Sequence, residues 1–129
     1  ERVNGALCEV NRVLKPGGLL RIRVPDNARF WQNYLLDYQS IRQQPREGWS
    51  LAHTRWIKMY FDEVCVRRPR PWQSMTHYHK WMYDEISLTV LVERVGFRNV
   101  ERMGFRQSAI PGIDEVEARD DLIIEAIRP

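Results

Sequence analysis

Cysteine is scarce in this chain: there are two among 129 residues, Cys8 and Cys65. They stand far apart, with no CxxC or Cys/His ligand spacing, which excludes a disulfide framework and a zinc site as organising principles. Long apolar runs are missing too. The longest, such as Leu122 to Ile124, fall far short of the roughly 20 residues that span a bilayer, and no signal-peptide pattern opens the chain. No membrane span is expected, and sparse cysteine suits a reducing cytoplasm. There is no internal repeat and no low-complexity tract. What is present is a hydrophobic fraction of 43%, enough for a globular domain with one core.

The chain begins with Glu1, and Val3, Leu7, Val10 and Leu14 already repeat as one face of a helix. The numbering is therefore expected to start inside a larger protein. Lys15-Pro16-Gly17-Gly18 should stop this helix, because proline cannot continue it and glycine tolerates left-handed backbone. Leu19 to Val24 follows as a strand, with Leu20, Ile22 and Val24 on one face and Arg21 and Arg23 on the other. Those arginines demand cover for their stems or partners for their heads.

Residues 27–83 are rich in Trp, Tyr, Arg and Gln and form an insertion with two helical stretches, Ala28 to Gln43 and Ser50 to Val64. Pro45, Pro69 and Pro71 punctuate it, and Arg67 to Trp72 is expected to be an extended loop. Between residues 42 and 72, seven lysines and arginines oppose three acids, so the middle of the chain is its basic part, although the whole carries only +3. Such a patch either attracts an acidic ligand or is a solvated helix face.

Asp84 is positioned as a helix cap, Leu88, Leu91, Val92 and Val95 supply the apolar stripe, and Gly96 ends the helix. Phe97 to Phe105 and Asp121 to Ile127 are two strand candidates separated by a polar loop around Pro111-Gly112. The order helix, strand, insertion, helix, strand, strand is that of the second half of an alternating α/β domain with a mostly parallel sheet. Residues 1–26 and 84–129 would share that domain.

Specific motifs sit on this frame. Leu7-Cys8-Glu9-Val10-Asn11-Arg12-Val13-Leu14-Lys15-Pro16-Gly17-Gly18, then Val24-Pro25-Asp26, His79-Lys80-Trp81-Met82-Tyr83-Asp84 with Ser87-Leu88, and Val95-Gly96-Phe97 run to Glu125-Ala126. Together they resemble the carboxy-terminal half of class I S-adenosylmethionine-dependent methyltransferases, in a bacterial branch sharing the LKPGG, VPD and HKWMYD segments. The resemblance covers nearly the whole chain apart from parts of the insertion. It implies the last three strands of a Rossmann-like seven-stranded sheet, the final one antiparallel, with the donor bound by a glycine-rich turn, an acid and a loop that this chain lacks. Gly17-Gly18 follows a helix instead of opening one, so it is a turn and not a donor site.

On this reading the insertion shapes the pocket for a small or saccharide-like acceptor, at the carboxyl ends of the strands. His79 is the candidate general base, since imidazole titrates near neutrality; its alternative role is to tie a loop to backbone carbonyls. His77 and His79 lack a third ligand, so no metal is expected. Asp26 is a substrate-binding candidate that equally suits a helix cap, and Tyr83 is one for which core packing beside Trp81 and Met82 is the commoner role. Arg70 and Trp72 carry the fork and the aromatic face that recognise sugars or bases, against the alternative of a solvated loop. Glu9 and Arg12 are spaced for a surface ion pair.

A competing reading makes the chain a degenerate or partner-dependent subunit that binds protein or nucleic acid through its basic insertion, although nucleic acid is disfavoured. The isolated chain is expected to be inactive, with a strand edge at Leu19 to Val24 that promotes self-association or marginal folding.

Overall fold

A computed structural model describes residues 2–64 and 81–129 of the chain. It is mixed α/β and divides into two compact units, Glu1–Asp26 with Tyr83–Pro129, and Asn27–Met82.

In the first unit, helix α1 (Arg2–Val13) leads through the LKPGG corner into strand β1 (Leu19–Val24). Gly17 has φ of +76°, and a Cβ added to Gly18 would lie 2.7 Å from the Lys15 carbonyl oxygen, so each glycine is required for a different reason. The corner is fastened to the end of the last strand: Gly17 N donates to Arg128 O at 2.8 Å, and Arg128 N donates to Gly18 O at 2.9 Å.

Helix α4 (Glu85–Arg94) opens with a reciprocal cap. The Asp84 carboxylate accepts from Ser87 N at 2.8 Å, while Ser87 Oγ accepts from Asp84 N at 3.1 Å. Gly96, with φ of +105°, ends the helix where the sequence places it. Asn11 Nδ2 donates to Val95 O at 3.2 Å, tying α1 to this terminus.

Strand β2 (Arg98–Arg102) and strand β3 (Leu122–Ile127) complete a three-stranded sheet in the order β1-β3-β2. Both neighbouring pairs are antiparallel, so these strands do not make the mostly parallel sheet expected from the element order. The reason is that β3 returns between β1 and β2 instead of adding outside them. For the same reason β1 lies at an edge of this sheet among the described residues, as expected for Leu19 to Val24 in the chain by itself. β2 is shorter than expected because a register shift between Arg98 and Glu101, with Asn99 at φ of +52°, disturbs its start, and a turn at Gly104 to Gln107 ends it. The polar loop that follows contains a single helical turn, α5 (Ile113–Val116), which the composition did not signal.

Leu7, Leu88, Val92, Phe97, Leu122, Ile124 and Ala126 form the buried core, with Val10, Leu14, Leu20, Ile22, Val24 and Tyr83 packed against it. Each fully buried large side chain contributes about 1.5–3 kcal/mol relative to exposure. Val3, first in the α1 stripe, stays exposed. On the opposite face of the sheet, Arg21 has found the partners it needs: its guanidinium meets Glu117 at 2.8 Å and Glu125 at 2.7 Å, and donates to Gln107 O at 2.8 Å. Arg23 lies 3.9 Å from Asp121. Glu9 and Arg12 make the exposed helix pair at 2.7 Å.

The second unit pairs helix α2 (Asn27–Arg42) with helix α3 (Thr54–Val64), the latter starting later than Ser50 because residues 49–53 are used in the connection. The Asp37 carboxylate receives Arg55 at 2.9 Å and the Trp56 indole N–H at 2.7 Å, which joins the helices. Ring contacts extend the seam, with Trp31 beside Tyr60 at 5.1 Å and Phe30 edge-on to Trp56 at 6.4 Å. A short 3-10 turn, Arg46–Gly48, shapes the connection. Among the described residues no helix is long and apolar enough to cross a membrane.

Candidate functional site

The six residues singled out from the sequence divide into two groups. His77, His79, Arg70 and Trp72 lie outside the described residues, as does the loop expected over Arg67 to Trp72. Asp26 and Tyr83 are described, and the fold brings them together across 57 positions in a parallel bridge just beyond the carboxyl end of β1.

Asp26 is 6% exposed, and Arg102 at the end of β2 reaches it, Nη2 donating to Oδ2 at 3.0 Å. The same guanidinium sends Nη1 to Glu85 Oε2 at 2.9 Å. Arg102 therefore bridges a buried acid and an exposed one. Its bond to Glu85, and after it the field of Asp26, hold its pKa raised against the effect of burial. Tyr83 is half-buried and packs against the core. Arg102 fixes the orientation of the nearly buried Asp26 carboxylate. Sequence reasoning missed Arg102 and Glu85. Their signal was weak: an arginine at a strand end and an acid in the first turn of a helix are ordinary surface choices.

The diglycine corner offers no donor-binding amides. Gly17 N is committed to Arg128 O and Gly18 N to Lys15 O at 2.8 Å each, so this corner does not fit the glycine-rich cradle that S-adenosylmethionine requires. No group of three or more His, Cys, Asp or Glu suited to a metal exists among the described residues.

Two concavities accompany these features, one in each unit. The first, about 350 Å³, is lined by Arg21, Arg23, Ile110, Ile113, Val116 and Glu117. Its central charges, Arg21 and Glu117, already satisfy one another. The second, about 290 Å³, lies in the helical unit, where Tyr38, Ile41, Trp49 and Leu51 give it apolar walls and Arg42, Ser50 and His53 its polar groups. The sequence reading expected a pocket shaped by this insertion but proposed none of these residues for it, because they come from a helix end and a loop with no shared motif.

No protein-family model, no curated protein and no solved structure matches the chain.

Proposed function

We propose that the chain is the acceptor-side half of a class I S-adenosylmethionine-dependent methyltransferase, whose complete form transfers a methyl group to a small or saccharide-like acceptor. The observation that supports this most is the meeting of the VPD and HKWMYD segments. Asp26, the last residue of VPD, and Tyr83, the last but one of HKWMYD, are bridged beyond the carboxyl end of β1, where open α/β sheets bind their ligands. The antiparallel course of the last strand agrees with the same resemblance.

In this reading Asp26, held by Arg102, receives an acceptor hydroxyl, and His79 removes its proton as the methyl group is transferred. The donor, a sulfonium that supplies an electrophilic methyl, would be held by residues outside this chain, which would be inactive alone.

Calorimetry with S-adenosylhomocysteine on the product of the full reading frame tests the proposal. Saturable one-to-one binding is expected. An intact fold without binding would overturn it, as would a reading frame that holds no glycine-rich turn upstream of Glu1.

A further inference from the structure

We infer that the concavity of the helical unit is a binding site for a small aromatic carboxylate, one or two fused rings carrying an anionic group. The inference is independent of methyl transfer, because its residues bind such a molecule whether or not the proposed reaction occurs.

The walls come first. Tyr38 from α2 and Trp49 from the connecting loop present aromatic rings, and Ile41 and Leu51 present aliphatic surface, around a volume of about 290 Å³. That is at the lower end of the range for ligand pockets, which suits a molecule of one or two rings. The apolar lining is wet to a degree that folding alone does not explain: Trp49 is 44% and Leu51 77% exposed. Yet Trp49 is not loose. Its indole N–H donates to Gln44 O at 3.1 Å, across the 3-10 turn, and this fixes the plane of the ring.

Charge supplies the second argument. The guanidinium carbons of Arg42 and Arg46 lie 5.2 Å and 5.8 Å from the centre of the Trp49 ring. Neither has a carboxylate partner among the described residues, although both are held against the same ring. Arg42, which lines the concavity with no paired anion among the described residues, favours an anionic ligand, and a guanidinium fork matches a carboxylate.

His53 completes the lining. Its ring lies 5.5 Å from Tyr34 and 5.8 Å from Tyr38, and its Nδ1 is sealed from water without a hydrogen-bond partner. An atom closed to water is closed to a ligand as well, so His53 contributes ring surface to the wall and not a hydrogen bond through Nδ1.

The experiment titrates the chain with naphthoate and, in parallel, with its neutral analogue naphthylmethanol, following amide and indole N–H signals by NMR. Saturable, submillimolar naphthoate binding is expected, with shifts concentrated at residues 38–53 and at the Trp49 indole. Naphthylmethanol and the Arg42→Gln variant should each bind about tenfold more weakly, the loss of one charge-assisted contact. Added salt should weaken naphthoate alone, which tests the charge even if Arg42→Gln does not fold. Absent naphthoate binding by the folded chain, equal affinity for the neutral analogue, or salt-independent binding would each overturn the inference.

Discussion

Arg21 and Glu125 face one another across the β1 and β3 ladder, and the guanidinium Nη1 donates to the Glu125 carboxylate at 2.7 Å with both side chains under a tenth exposed. Glu117 closes the group from the loop that precedes β3, at 2.8 Å from Arg21, and Ser108 donates to Glu125 as well. Removing the shared cation leaves two buried carboxylates without compensation. Arg21→Ala is therefore expected to cost about 3–5 kcal/mol, the usual range for breaking a buried pair. Urea unfolding of the variant beside the wild type measures it. The triple change Arg21→Met, Glu117→Leu, Glu125→Leu should recover most of that loss, since it removes the whole charge set at once.

The same group makes stability depend on acidity. The bond from Arg21 holds the Glu117 carboxyl below its ordinary value of 4.5, more than burial raises it. A carboxyl whose folded value is depressed contributes stability above its unfolded value, and that contribution disappears as pH falls through the folded one. The melting temperature should decline in acid below about 4.5. Glu117→Gln should melt lower than the wild type at neutral pH, and the gap should narrow in acid. Scanning calorimetry across this interval decides; a constant gap would contradict the linkage.

Asp84 carries the start of α4. Bonds from Ser87, its backbone N–H foremost, hold the Asp84 carboxyl below its ordinary range. Asp84→Ala should cost about 1 kcal/mol, whereas Asp84→Asn should lose much less because the amide oxygen still accepts. Thermal denaturation of both variants separates capping from charge.

The LKPGG corner makes the fourth prediction. A Cβ at Gly18 would meet the backbone oxygen of Lys15, an atom already bonded to Gly18 N, so no flexible side chain can yield. Gly18→Ala is expected to lower the melting temperature by several degrees, corresponding to about 1 kcal/mol or more. Gly17→Ala fails for a different cause, left-handed backbone at φ of +76° in open space, so Gly17→Asn should be tolerated better than Gly17→Ala.

Local chemistry made much of this fold readable. The Asp84 cap, the Gly96 terminus and the alternation of Leu20, Ile22 and Val24 against Arg21 and Arg23 are short-range statements, and the structure contains each. The need of Arg21 for buried partners was also legible; which acids would answer was not, because Glu117 and Glu125 lie 96 and 104 positions away. Strand order escaped for the same reason, since hydrophobic alternation fixes the faces of β3 but not its neighbours. Asp26 and Tyr83 were marked by motif, while the bridging role of Arg102 and the contact of Arg42 with the Trp49 ring depend on geometry that no spacing encodes.

The central place of β3 orders events in time. β1 and β2 share no ladder with each other; each is hydrogen-bonded to the strand that follows both in the chain. During synthesis, therefore, Leu19 to Val24 emerges about a hundred residues ahead of β3, and this long-range ladder closes only after the last strand is made.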